Sequence, residues 1–161
     1  KHGRKRIVFL KGPEGNEDSR QREIGYKKAL HDAGLEIDEA LIRRGNFSTG
    51  PAREAMIQLI KDGVKFDAVF AGDDNAAIGT FEALRQFDIK IPEDVALVGF
   101  NDDYMAQHVN PPLTTIKAPI YESGYVAGEK LLNLIEGHPV QMKTLLDTKM
   151  VIRQSSGGDY V

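Results

Sequence analysis

The stretch "DAVFAGDDNAAIGTFEALRQFDIKIPEDVALVGFNDD", Asp67 to Asp103, decides the fold. It opens on a short apolar run, Asp67 to Ala71, and breaks at Gly72. Apolar residues then return at helical spacing: Ala77, Ile78, Phe81, Leu84 and Phe87. Asp74 stands ahead of them in the place of an N-cap. A second apolar run, Val95 to Phe100, closes the unit and delivers Asn101, Asp102 and Asp103 together. Strand, helix and strand in succession, with strands that are apolar almost without alternation, read as a parallel pair covered on both faces.

The same unit repeats toward the N-terminus. "IVFL" (7–10) and "ALIR" (40–43) are β-rich runs. Between them Ile24, Tyr26, Ala29, Leu30 and Ala33 keep a helical period that ends at Gly34, a natural C′ residue. A second helix carries Ala52, Ala55, Met56, Leu59 and Ile60, with Ser48 and Thr49 ahead of Pro51 as its start and Gly63 as its stop. Past the double proline at 111–112 the pattern changes. "TTIKA" (114–118) is strand-like, and "PIYESGYVAGEKLLNLIEG" is a helix bearing Tyr121, Gly124, Tyr125, Gly128, Leu131, Leu132 and Ile135. "TLLDTKMVIRQS" (144–155) reads as a hairpin or bent pair, and the tail "SGGDYV" as frayed. The fold class is α/β, a doubly wound parallel sheet.

Composition narrows the function classes. The chain has 161 residues, enough for one domain with a real core, and a net charge of −3, which gives no sign of a phosphate-gripping surface. The basic lead "KHGRKR" (1–6) reads as a solvated approach to the first strand. The absence of cysteine excludes disulfides, thiolate metal sites and a thiol nucleophile. No apolar run reaches membrane-spanning length. The first residue is Lys1, so the expectation is a piece of a longer protein.

In an open parallel sheet, ligands bind outside the carboxyl ends of the strands. Four loops arrive there: "KGPEGNEDSRQR" with Arg22, "RGNFSTGP" with Phe47, "GDDN" with Asp73 and Asp74, and "FNDDY" with Asn101, Asp102 and Asp103. An arginine fork, an aromatic face, an amide and carboxylates suit a small polyhydroxylated ligand. Each also has a plainer role open to it: Asp74 as a cap, Arg22 as a surface charge, Phe47 as packing. Catalysis finds little support. The four histidines are scattered, and there is no nucleophile elbow, P-loop or dinucleotide fingerprint. Acid-rich loops can hold Mg²⁺, but the loop after the first strand is "KGPEG". The expectation is therefore neither an enzyme nor a protein with a metal or cofactor.

Four motifs in order, "RKRIVFLKGP", "RQREIGYKKALHDAGL", "FAGDDNAAIGTFEALRQFDIKIPEDVALVGFND" and "PPLTTIKAPIYESGYVAGEKLL", resemble the effector-binding core of the LacI/GalR family of bacterial transcriptional regulators. The resemblance runs from about residue 4 to 153. It implies a fold like that of the type I periplasmic sugar-binding proteins: two α/β subdomains with the effector between them. This chain then corresponds to the C-terminal subdomain. Its main part spans 1–118, a crossover helix (119–138) belongs to the N-terminal subdomain, returning strands occupy 139–155, and 156–161 is the tail. The resemblance places effector contacts at Arg22, Phe47, Asp73 and Asn101, with Asp102, Asn16 and Asp18 as further contacts. Asn101 stands where many members have an aspartate. The family implies a small effector, a sugar in many members, a homodimer, and operator DNA bound through an N-terminal helix-turn-helix outside this chain. It also implies cytoplasmic location and no membrane partner. The alternative with the same fold is an exported sugar-binding protein of a transporter. One structural expectation follows: a crossover helix without its partner should be poorly ordered, packed on a second copy, or swapped.

Overall fold

In a computed structural model that describes residues 3–158, six strands form one sheet in the order β2-β1-β3-β4-β5-β6. The strands are β1 (Ile7–Lys11), β2 (Ile42–Arg44), β3 (Ala68–Ala71), β4 (Ala96–Asn101), β5 (Thr114–Lys117) and β6 (Lys149–Val151). The first five are parallel and β6 runs antiparallel to β5. The helices are α1 (Glu17–Asp32), α2 (Thr49–Lys61), α3 (Asp74–Gln86) and α4 (Ile120–Ile135). The doubly wound reading holds, and the strand order reverses between β1 and β3, the switch point at which such sheets open a crevice.

Two cores explain why both faces of the strands are apolar. Val8, Leu10, Val69, Ala71 and Leu97 pack against Met56 and Leu59 of α2 and Ala77 and Leu84 of α3. On the other face Phe9 and Ile42 meet Tyr26 and Leu30 of α1, with the Phe9 and Tyr26 rings stacked at 5.1 Å. Alternate residues of β1 therefore serve opposite layers, which a run such as IVFL requires.

Several expectations shift. Ala40 and Leu41 lie in a short 3-10 turn, and β2 starts at Ile42. The stretch 144–155 supplies a single short strand rather than a hairpin. The tail does not fray at its start, because the Ser155 hydroxyl donates to the Leu97 carbonyl (2.6 Å) and the Ser156 hydroxyl bonds that of Thr114 (2.7 Å). Asp159 to Val161 lie outside the described residues, as do Lys1 and His2. The basic lead is not merely solvated. The Arg4 guanidinium donates to the carbonyls of Pro92, Glu93 and Asp94, tying the chain before β1 to the loop before β4.

The crossover helix departs most. α4 is one continuous helix with no buried residue, and Tyr121, Tyr125, Leu131, Leu132 and Ile135 are exposed. It is formed on its own chain, contrary to the expectation of disorder. Internal hydrogen bonds satisfy its backbone, and Gly137 beyond its end takes a left-handed φ of +80°, as a helix stop does.

Candidate functional site

Arg22 sits in the second turn of α1, whose start is fixed by Asn16. The Asn16 side-chain oxygen accepts from the Ser19 amide at 2.8 Å, a normal N-cap. From there the Arg22 guanidinium donates to the Gly72 carbonyl at 2.8 Å. Its carbon lies 4.0 Å from the Phe100 ring centroid and 5.0 Å from that of Phe47. Burial pushes its pKa below the ordinary arginine value, opposed by the charges of Asp18 and Asp73. A guanidinium packed on two aromatic rings is held in a fixed orientation, and Arg22 lines the hollow described below.

The Phe47 ring is seated on glycines. A Cβ built on Gly12 would lie 2.3 Å from the ring and one on Gly72 2.9 Å from it. The loop bends sharply to place it, with φ of +53° at both Asn46 and Phe47. Asn101 ends β4. An open hollow of about 470 Å³ is lined by Asp18, Gln21, Arg22, Phe100, Asn101, Ala118 and Ile120. That volume suits a small ligand.

The acids sort differently from the sequence reading. Asp73, not Asp74, caps α3: its Oδ1 accepts from the Ala76 amide at 2.8 Å, and its Oδ2 from the Asn75 side chain at 3.3 Å. Burial raises its pKa, with the Ala76 bond opposing. Asp74 is the first helical residue, and its carboxylate turns inward to accept from the Thr115 hydroxyl (2.7 Å) and the Asp103 amide (2.8 Å). It fits because Gly99 has no side chain; a Cβ there would lie 2.2 Å from Asp74 Oδ1. Asp102 turns away from the hollow and accepts from Arg153 at 2.7 Å, both side chains being nearly buried. Asp18 lines the hollow 3.9 Å from Arg22. Asn16 lines a separate concavity of about 230 Å³ with Lys11, Glu17 and Arg44.

The structure thus brings Arg22, Phe47, Asn101 and Asp18 to one edge, with Asp73 just behind. It gives protein partners to Asn16 Oδ1, to both carboxylate oxygens of Asp73 and to Asp102 Oδ1. Sequence reading passed over Phe100, Ala118 and Ile120. Phe100 was recoverable, since it precedes Asn101 in β4 and shares a sheet face with Phe70. Arg153 carried no local signal.

With this geometry in view, the sequence matches the model of the periplasmic binding protein-like domain over residues 1–156. The chain belongs to that family. It is 33% identical over 154 residues to the HTH-type transcriptional regulator CelR of Thermobifida fusca, covering 95% of this chain and 45% of that protein. It is 34% identical over 154 residues to the ribose operon repressor of Escherichia coli, covering 96% of this chain and 47% of the repressor. The chain thus spans just under half the length of these relatives. It superposes on the structure of a CelR–cellobiose complex with a TM-score of 0.90 at 33% identity, over 95% of this chain and 47% of that one. The LacI/GalR resemblance is borne out, and the transporter alternative is not favoured, since the relatives are regulators and repressors. Among the described residues no helix is long and apolar enough to cross a membrane.

Proposed function

We propose that this chain is the effector-sensing part of a LacI/GalR-type transcriptional regulator that works as a homodimer in the cytoplasm. It takes a small polyhydroxylated effector, a sugar, against the edge formed by Arg22, Phe47 and Asn101. A separate N-terminal helix-turn-helix holds operator DNA. The observation that supports this most is the Arg22 guanidinium, anchored on Gly72 and packed over Phe100 and Phe47 beside Asn101. Such a site donates in fixed directions to hydroxyls, while Phe100, Ala118 and Ile120 give the hollow an apolar side for a sugar. Asn101 supplies an amide rather than a carboxylate, so it donates as well as accepts.

Effector and operator are linked because each prefers one arrangement of the subdomains, and the linkage is reciprocal, typically about 1–3 kcal/mol. In this reading the chain carries one wall of the cleft. Titrated alone in a calorimeter it is expected to bind sugars weakly or not at all. The test is a thermal-shift panel on the full-length regulator with D-ribose, cellobiose, other mono- and disaccharides, and nucleosides. One sugar should raise the melting temperature, with about 2.7 kcal/mol of stabilisation at a hundredfold excess over Kd. Arg22→Met should weaken that sugar by about 30-fold or more, the scale of losing a buried charged donor. A panel in which only nucleosides shift the transition, or one in which Arg22→Met changes nothing, sinks the reading.

A further inference from the structure

The turn that follows β4 has a backbone its sequence should resist. Asn101 has φ of +122° and Asp102 of +62°, and the first lies where glycine is the usual occupant. Such a conformation persists only where surrounding contacts over-determine it. Here they come from three distant elements. The Asp103 amide donates to Asp74 Oδ2 at 2.8 Å, from the start of α3. The Asp102 amide donates to Thr115 Oγ1 at 3.3 Å, and that hydroxyl donates in turn to Asp74 Oδ1 at 2.7 Å. The Asp102 carboxylate accepts from Arg153 Nη2 at 2.7 Å, while Nη1 of the same guanidinium donates to the Leu113 carbonyl at 2.8 Å.

We propose that Asp74 and Arg153 are positioning residues that clamp the Asn101–Asp103 turn and so hold Asn101 at the hollow. The proposal rests on the reading that Asn101 faces an effector. Two features distinguish a clamp from ordinary core bonding. A buried ion pair is a poor stabiliser, since apolar residues of equal volume commonly do as well, so its worth here lies in fixing geometry. The clamp also draws on both sides of α4: Thr115, which bridges the Asp102 amide to Asp74, lies in β5 ahead of the helix, and Arg153 follows β6 behind it.

The test uses Arg153→Lys, which keeps the charge and loses the fork, and Asn101→Gly, which removes the backbone conflict. In Arg153→Lys, amide exchange at Asp102 and Asp103 should rise by about tenfold or more while Phe9 and Leu97 in the sheet stay as protected as before. Sugar affinity in the full-length regulator should fall by a similar factor. Asn101→Gly should raise the melting temperature by about 2–4 °C and also weaken the sugar. Unchanged exchange at Asp102 and Asp103, or a rise spread evenly over the sheet, overturns the clamp, and so does a lower melting temperature for Asn101→Gly. Faster exchange with sugar affinity intact breaks the link from clamp to Asn101. Should no sugar bind the wild type, the functional reading falls, while exchange and melting temperature still judge the clamp.

Discussion

Helices α3 and α4 both carry an apolar stripe, and the molecule treats them oppositely. α3 buries Ala76, Ala77, Gly79, Thr80, Ala83 and Leu84, whereas α4 buries nothing. Propensity and amphipathicity do not separate them; connectivity does. α3 joins β3 to β4, which are parallel neighbours, so the chain must cross back over the sheet and the helix is laid on its face. α4 joins β5 to β6, which are antiparallel neighbours, so the chain leaves and re-enters at the same edge and no crossover presses the helix down. That edge is the one holding the hollow, and Ile120 at the start of α4 lines it. A stripe on a helix says that the helix is built for a partner. It does not say that the partner is the nearest sheet.

Matched leucines in α3 and α4 should respond most unequally to truncation. Leu84→Ala removes a fully buried side chain from the layer between α3 and the sheet, and should cost about 2–5 kcal/mol in urea denaturation of this chain. Leu132→Ala, on a residue 63% exposed, should stay within about 0.5 kcal/mol. Comparable losses at the two positions would mean that α4 is covered in solution. A smaller effect comes from matched glycines. A Cβ on Gly79 would lie 2.1 Å from the Thr49 carbonyl oxygen, where α3 crosses α2, so Gly79→Ala should cost about 1–3 kcal/mol. Gly128 in α4 meets nothing within 4 Å, and Gly128→Ala should instead stabilise by up to about 1 kcal/mol through helix propensity alone. Opposite signs for one substitution in two helices would confirm that packing, not helix formation, separates them.

The contrast also marks what the sequence could and could not tell. Strands, helices and the doubly wound order followed from local period and from Gly34 and Gly63, because local sterics and one-sided burial dictate them. Arg22, Phe47 and Asn101 were reachable because each lies in a loop at the carboxyl end of a strand. The roles of the acids were not. Asp73 and Asp74 are adjacent and chemically identical, and a one-residue difference in the start of α3 decides which caps the helix and which turns inward. Asp102 could not be paired from sequence, because Arg153 lies 51 positions away, beyond α4. Contacts that depend on where a chain returns after an excursion leave no local trace.

The smallest effect compares tyrosines. Tyr26 on α1 is 7% exposed, and its hydroxyl donates to the Ile7 carbonyl at 2.7 Å, fastening the helix to β1. Tyr125 on α4 is exposed. At neutral pH Tyr26→Phe should cost about 1 kcal/mol, the net worth of one hydrogen bond, and Tyr125→Phe less than about 0.5 kcal/mol. pH then adds a signature that only the buried hydroxyl can give. Burial, reinforced by the charges of Asp38 and Glu39, raises the Tyr26 pKa from 10.0 to about 12. Between those values the folded chain keeps the phenol proton and the unfolded chain releases it. Unfolding therefore gains from each rise in pH, and the contribution of Tyr26 to stability is whole below pH 10 and declines as pH climbs through 12. The stability gap between wild type and Tyr26→Phe, followed by urea denaturation from pH 8 to about 11.5, should narrow and then change sign. A gap that stays constant over that range would show that α1 is held to β1 by its apolar contacts alone, with the hydroxyl free to ionise in the folded state.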